Sequence, residues 1–342
     1  MKTILMSYLL IIIIPFANAS TSMSGFVYTA NEEGNSMSVI NLTTGDVENI
    51  PTKITPHNIQ VSGDGKLLLI VGPVVKKSKH SGMKMDKNEK MVPGKLLVLN
   101  SLQPDAEPLV DLEVGLHPAH VVVNAESKLA YVTNSEDNDV SLIDLEKKKV
   151  IGKIKTGQFP HGMRMSPNGN EIYVANVNDN TVSVIDVIKS IEVTKIPVGK
   201  GPVQVAFISD GKYAYVSLRD QNSVAVIDTK LQKKIANVSV GRNPIQVFAT
   251  PNGKLVYVAN QGTETQPDNS VSVIETDSNK VVATIQTGKG AHGVVVSNDG
   301  KRVFVSNIVD SSVSVIDTGT QKVIRSYKVG KGPNGITFKE TP

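Results

Sequence analysis

The chain has 342 residues, no cysteine, no tryptophan and a formal net charge of +4 at neutral pH. This length can bury a large core as one domain, and the absence of cysteine excludes disulfides, thiolate metal ligands, a lipoprotein anchor and c-type haem attachment. Because the small excess of positive charge is scattered along the chain, we expect no nucleic-acid partner.

Residues 1–19 have the pattern of a signal peptide. Lys2 gives a short positive region, an apolar run extends from Ile4 to Phe16, and Ala17–Ala19 matches a small-residue cleavage site. The apolar run is too short to favour a transmembrane helix. We therefore expect a periplasmic or secreted protein, with no membrane-spanning segment after cleavage before Ser20.

A short motif recurs seven times in the rest of the chain. Its clearest copy lies in residues 171–186, where Tyr-Val-Ala-Asn is followed by a polar turn and Val-Ser-Val-Ile-Asp. The last residues of the seven copies are Asn31, Gly72, Asn134, Asn176, Leu218, Asn260 and Asn307. A spacing near 42 residues is typical of propellers and solenoids. We interpret the recurring asparagine as a structural residue of each repeat.

Each repeat contains four short strand patterns. In residues 202–240, apolar alternation is interrupted by turn residues such as Ser209–Lys212. Seven such units predict an all-β fold, a seven-bladed β-propeller with four antiparallel strands per blade. The chain begins at a second strand, Gly25–Ala30, and ends with a first strand, Gly335–Phe338. We therefore expect the C-terminal strand to join the N-terminal blade and close the ring.

Two departures from the regular spacing are expected within this single domain, residues 20–342. One is an insertion at residues 74–91 in blade 2, and the other is a longer loop at residues 261–268 in blade 6. Both follow a second strand, so both are predicted to lie on the same face as the starts of the innermost strands. Loops on a rigid scaffold often carry function.

Further marks recur within the repeats. A Gly-x-x-Pro sequence opens most units, and two triplets follow it. Val-Ile-Asp stands at Val184–Asp186, Val226–Asp228 and Val315–Asp317, and Asp-Gly-Lys stands at Asp64–Lys66, Asp210–Lys212 and Asp299–Lys301. With Tyr-Val-x-Asn, these marks resemble the YVTN-type β-propeller family of secreted and periplasmic bacterial proteins. The resemblance implies the propeller fold and a role as an interaction module.

The histidines have a preferred place in the repeat. Four of the six occur at the start of an innermost strand: His57, His120, His161 and His292. His117 precedes one of these starts. Imidazole suits copper and zinc, so one hypothesis is a copper or zinc site at the channel mouth, held by His57, His161 and His292 with His120 as a further donor. The alternative is that these rings bond to neighbouring backbone and only line the channel.

The blade 2 insertion carries the sixth histidine. His80 lies there with Met83, Met85 and Met91 among several lysines. Thioether sulfur favours Cu(I), so the insertion could supply extra ligands or cover the site. The alternative is a solvated loop.

Two classes of function remain open. The first is a non-catalytic exported module, expected as a monomer, that binds a metal, a small-molecule ligand or a protein on the histidine-bearing face. The second is an enzyme, either a lactonase-like hydrolase or a metal-dependent redox protein. The starts of the seven innermost strands contain no Asp or Glu, and Arg164 is their only basic residue besides histidine. No nucleophile elbow or His-Glu-x-x-His motif is present, which favours the non-catalytic module.

Overall fold

The structure is a computed structural model that describes residues 23–75 and 92–341. The predicted signal peptide and most of the blade 2 insertion lie outside the described residues. So do three of the predicted metal ligands, His80, Met83 and Met85.

Seven four-stranded antiparallel sheets are arranged as the blades of a propeller, with strands numbered in chain order. Blade 1 consists of β1 (Phe26–Asn31), β2 (Ser36–Asn41), β3 (Val47–Pro51) and the C-terminal strand β28 (Pro333–Lys339). Blade 2 consists of β4 (Asn58–Val61), β5 (Leu67–Gly72), β6 (Lys95–Asn100) and β7 (Val110–Glu113). Blade 3 consists of β8 (Pro118–Val123), β9 (Leu129–Asn134), β10 (Asp139–Asp144) and β11 (Lys149–Lys155).

The remaining blades follow the same order. Blade 4 consists of β12 (Pro160–Met165), β13 (Glu171–Asn176), β14 (Thr181–Asp186) and β15 (Ile191–Pro197). Blade 5 consists of β16 (Pro202–Phe207), β17 (Tyr213–Leu218), β18 (Ser223–Asp228) and β19 (Lys233–Ser239), with a single 3₁₀ turn at Arg219–Gln221. Blade 6 consists of β20 (Pro244–Ala249), β21 (Leu255–Gly262), β22 (Pro267–Glu275) and β23 (Lys280–Gln286). Blade 7 consists of β24 (Ala291–Val296), β25 (Arg302–Asn307), β26 (Ser312–Asp317) and β27 (Lys322–Lys328).

The ring closes through the two ends of the chain. β28 pairs antiparallel with β1, with Phe26 opposite Lys339 and Val27 opposite Phe338. The innermost strands β4, β8, β12, β16, β20, β24 and β28 each contact the next, and β28 contacts β4. The predicted seven-bladed fold and its closure by the C-terminal strand are confirmed.

The core lies between adjacent blades. The aromatic residue of the repeated motif is fully buried in six blades, as Tyr28, Tyr131, Tyr173, Tyr215, Tyr257 and Phe304. Tyr173 packs edge-on against Phe207 of the next blade, with ring centroids 4.9 Å apart. Each motif therefore supplies a large apolar side chain to a blade-to-blade contact, which explains why it recurs.

The asparagine of the motif joins the second and third strands of its blade. Asn176 Nδ2 donates to Thr181 Oγ1 at 3.0 Å and to Ser183 Oγ at 2.8 Å. The glycine that opens the same unit packs against this amide, because a Cβ at Gly157 would lie 2.6 Å from Asn176 Nδ2. These contacts support a structural interpretation of both motifs.

The blade 6 departure is a lengthened hairpin. Residues 261–268, expected as a loop, contain the ends of β21 and β22, where Gly262 pairs with Pro267. The strand pairing continues into the extra residues, so only a short turn is left. No helix in residues 23–75 or 92–341 is long and apolar enough to cross a membrane.

Candidate metal centre

A β-bulge at the start of the innermost strands directs side chains into the channel. The pairing register shifts between the first and fourth residues of β8, β12, β16, β20 and β24. A bulge leaves residues unpaired and re-aims their side chains. The second residue, His161, and the third residue, His120, can therefore both face the channel. Gly162 follows His161 because a Cβ there would lie 2.3 Å from Val203 O of the next blade.

Three histidines from consecutive blades converge. His57 directly precedes β4, His120 lies on β8 and His161 lies on β12. One ring nitrogen from each lies within 4.8 Å of the other two. The Nε2 atoms of His57 and His161 are 3.1 Å apart, and the ring centroids of His120 and His161 are 4.9 Å apart. Among the described residues, this is the group of side chains able to hold a metal ion.

Each of the three rings is oriented by a second contact. His57 Nδ1 lies 3.2 Å from Glu32 Oε2, and His161 Nδ1 lies 3.3 Å from Val203 O. His120 Nδ1 lies 3.4 Å from Gln204 Nε2. Histidine ligands of metals commonly bond a carboxylate or carbonyl through their other nitrogen, which fixes the ring. The contacts of His57 and His161 follow this arrangement.

Burial favours the uncharged form of the imidazoles. Burial lowers the pKa of His120 and of His161 well below the usual histidine value, and His57 adds to the effect in both. Burial alone would raise the pKa of Glu32, but the charge and hydrogen bond of His57 lower it to about 2. At neutral pH the site therefore offers neutral His120 and His161 beside an anionic carboxylate. Neutral imidazole is the form that binds metals.

His292 is separate from the converging group. It lies buried on β24, and its Nδ1 is 3.1 Å from Asn334 O of the neighbouring innermost strand. His161 makes the same kind of contact with Val203 O, so what separates His292 from the site is that its ring lies outside the converging group. His117 lies at the edge of the site, with its ring centroid 6.3 Å from that of His57 and 5.9 Å from that of Phe159.

Glu32 was not among the sequence-predicted site residues. It follows the motif asparagine of blade 1, and Asn334 Nδ2 of β28 donates to the same Oε2 atom that faces His57. Its position after a second strand places it on the face that carries the histidines. The blade 2 insertion also follows a second strand. A position after a second strand is therefore the feature of the sequence that could have identified Glu32.

A cavity lies in the channel next to the histidines. This cavity of about 320 Å³ is lined by innermost-strand residues that include His120, Arg164, Gln204, Gln246 and Phe248. His120 therefore belongs to the triad and also lines the cavity. The cavity extends to the turns on the opposite face, where Asp64 and Glu340 line it.

Comparison with solved structures identifies propellers of the same fold. Hydrazine synthase of Kuenenia stuttgartiensis is 22% identical, with a TM-score of 0.69, covering 84% of this chain and 95% of that one. A functionally unknown protein from Desulfotomaculum acetoxidans is 16% identical, with a TM-score of 0.76, covering 93% and 100%. A candidate 6-phosphogluconolactonase from Bacteroides fragilis is 16% identical, with a TM-score of 0.72, covering 94% and 100%. At these identities the likeness extends to the fold alone.

A family model gives a more direct relationship. The model of the YNCE-like beta-propeller matches residues 111–254 and 191–341, which together span more than half of the chain. The search of curated proteins found no match to the chain. The matched region contains the five copies of the repeated motif in blades 3 to 7. The chain belongs to the YNCE-like beta-propeller family.

Proposed function

We propose that this propeller is an exported metal-binding protein, which holds a zinc or copper ion with His57, His120 and His161. The convergence of three imidazoles from three blades carries the proposal. A tetrahedral zinc ion with bonds of about 2.0–2.1 Å holds its ligand nitrogens about 3.3 Å apart. The separation of 3.1 Å between the Nε2 atoms of His57 and His161 is close to this value.

The donor set narrows the choice of metal. Neutral nitrogen ligands suit zinc and copper better than calcium or magnesium, which require oxygen ligands. The carboxylate of Glu32 faces His57 Nδ1, so it would orient the ring and increase its basicity. Methionines Met83 and Met85, if brought to the same mouth, would favour Cu(I) over zinc.

Titration calorimetry of metal-free protein with zinc and with copper tests the proposal. His161→Asn should weaken binding by at least about 100-fold, since loss of an orienting contact alone commonly costs 10–100-fold. His292→Asn is the matched control, because His292 takes the same place in its innermost strand and also lies near a backbone oxygen, but is outside the triad. It should bind within about threefold of wild type. Equal affinity in wild type and His161→Asn would overturn the proposal.

An exported location and a monomeric state belong to the same proposal. The signal-peptide pattern at residues 1–19 supports export. Mass spectrometry of the protein recovered from the periplasm or medium should give a chain that starts at Ser20. Light scattering should give the mass of one chain. An uncleaved chain in the cytoplasm would contradict export.

The number of ligands also favours a second candidate, a metal-dependent hydrolase. Three histidine ligands leave one tetrahedral position open, as in catalytic zinc sites, and a metal in such a site acidifies bound water. A lactone-hydrolysis screen of zinc-loaded wild type against His161→Asn would decide between binder and enzyme. Turnover that depends on His161 supports the enzyme, whereas absent or unchanged turnover supports the non-catalytic module.

A further inference from the structure

The channel holds a second group of polar side chains below the histidines. Arg164 is the fifth residue of β12, and Ala206 and Phe248 take the matching places in β16 and β20, since all three pair with the motif tyrosine of their blade. The guanidinium carbon of Arg164 lies 4.9 Å from the ring centroid of Phe248. Phe248 is two blades away, so the arginine side chain extends across the channel over Ala206.

The charge of Arg164 has no ionic partner among residues 23–75 and 92–341. None of the hydrogen bonds or ion pairs in this part of the chain involves its guanidinium. Burial lowers the pKa of Arg164 to about 10, so the group remains cationic at neutral pH. Arg164 is partly buried, so leaving its charge unpaired is costly, and the contact with Phe248 offsets only part of the cost.

The carboxylates that share the cavity are bound elsewhere. Asp64 accepts hydrogen bonds from Ser62 Oγ and from the Lys66 backbone nitrogen. Glu340 accepts a hydrogen bond from Asn298 Nδ2. Both are exposed at the turns of the opposite face. Of the charged residues that line the cavity, Arg164 therefore lies inside the channel, and Asp64 and Glu340 lie at the opposite face.

Gln246 supplies a second donor. Its Oε1 accepts a hydrogen bond from the Val294 backbone nitrogen at 3.3 Å, which fixes the amide plane. Its Nε2 has no partner within the described part of the chain. Gln246 lies in the β-bulge of β20, two residues before Phe248. Both line the cavity that also contains Arg164.

We propose that this cavity binds a small organic carboxylate, with Arg164 and Gln246 as its hydrogen-bond donors. The planar fork of a guanidinium matches the two oxygens of a carboxylate. Phe248 also lines the cavity, and its ring is an apolar surface suited to the carbon part of the ligand. A volume of about 320 Å³ accommodates an anion such as succinate or acetate. The site is distinct from the histidine triad and needs no metal.

Calorimetry with metal-free protein tests this proposal separately from the metal centre. The probes are succinate, acetate, inorganic phosphate and the uncharged analogue succinamide. Succinate should bind with one-to-one stoichiometry and more tightly than phosphate, and succinamide should not bind. Arg164→Met should weaken succinate binding by at least about tenfold, the effect of losing a charged hydrogen bond of about 1.5–3 kcal/mol. Arg219→Met, an exposed arginine beside Asp220, is the control and should bind succinate as wild type does.

Several results would overturn the proposal. One is that no carboxylate binds. Another is that Arg164→Met and Arg219→Met bind succinate with equal affinity. A third is that succinate and succinamide bind equally. Tighter binding of phosphate would replace the organic carboxylate with an inorganic oxyanion and so contradict the assignment. If Arg164→Met does not fold, Gln246→Met provides the same comparison, with a weaker affinity expected because one donor is lost.

Discussion

His57 Nε2 and His161 Nε2 lie 3.1 Å apart although the two residues are separated by 104 positions in the chain. The contact crosses blade 3, which contributes His120 to the same point. Because Nδ1 of each ring faces an oxygen atom, of Glu32 and of Val203, the two Nε2 atoms point to one place, where a metal ion would bind both. The contact is the most direct reason to treat the channel mouth as a metal site.

Glu32→Gln tests the orienting role of the carboxylate. The variant keeps a polar side chain of the same size beside His57 Nδ1 but removes its charge. We expect zinc affinity to fall by about 10–100-fold, the usual cost of losing such a partner. Glu33→Gln is the control, because Glu33 is exposed and adjacent. Titration calorimetry measures both, and an unchanged affinity in Glu32→Gln would show that the carboxylate does not support the site.

His292 should make stability depend on pH. Burial lowers its pKa to about 4 and His57 adds to the effect, whereas Glu32 opposes it. An unfolded histidine has a pKa of about 6.5, so between these values only the unfolded chain binds the proton, and stability falls as the pH is lowered through this range. Between about pH 7 and pH 5, the free energy of unfolding of the wild type should therefore fall by about 2 kcal/mol more than that of His292→Asn. Urea denaturation at both pH values measures this, and equal losses would contradict it.

Asn176→Ala tests the structural interpretation of the motif. The substitution removes two buried hydrogen bonds, to Thr181 and Ser183. We expect the free energy of unfolding to fall by about 1–3 kcal/mol, because the buried partners lose a donor. The control is Asn178→Ala, two residues along the same hairpin and exposed, which should have little effect. Chemical denaturation measures both variants, and similar values for the two would reject the interpretation.

Removal of β28 tests the closure of the ring. A chain that ends at residue 332 lacks the innermost strand of blade 1 and leaves β1 with an unpaired edge. We expect a loss of several kcal/mol of stability, together with aggregation through the exposed edge. A chain that ends at Lys339 retains β28 and is the control. Thermal unfolding followed by circular dichroism compares them, and equal melting temperatures would show that closure contributes little.

The sequence predicts the fold well because the information is repeated. Seven copies of one strand pattern determine the blade, and the incomplete units at the two ends predict that β28 joins β1. The same repeats place His57, His120 and His161 on one face. The position of a residue in a repeat is enough for these inferences.

The details of the site depend on contacts that no repeat contains. His161 and His292 occupy the same place in their repeats, and Nδ1 of each lies near a backbone oxygen of the next blade, yet His161 joins the triad and His292 does not. The difference arises from the neighbouring blades, since the histidines of blades 2 and 3 precede His161, whereas Asn334 and Gln246 flank His292. Glu32 reaches His57 from another blade, and the sequence alone does not give that distance.

The seam of the ring lies beside the proposed metal ligands. Asn334 of β28 donates to Glu32, which in turn faces His57. β28 follows all three histidines in the chain, so the amide that holds Glu32 is in place only when β28 pairs with β1. At the proposed metal site, full affinity would therefore require a closed ring, and a ring opened at this seam would hold the ion more weakly.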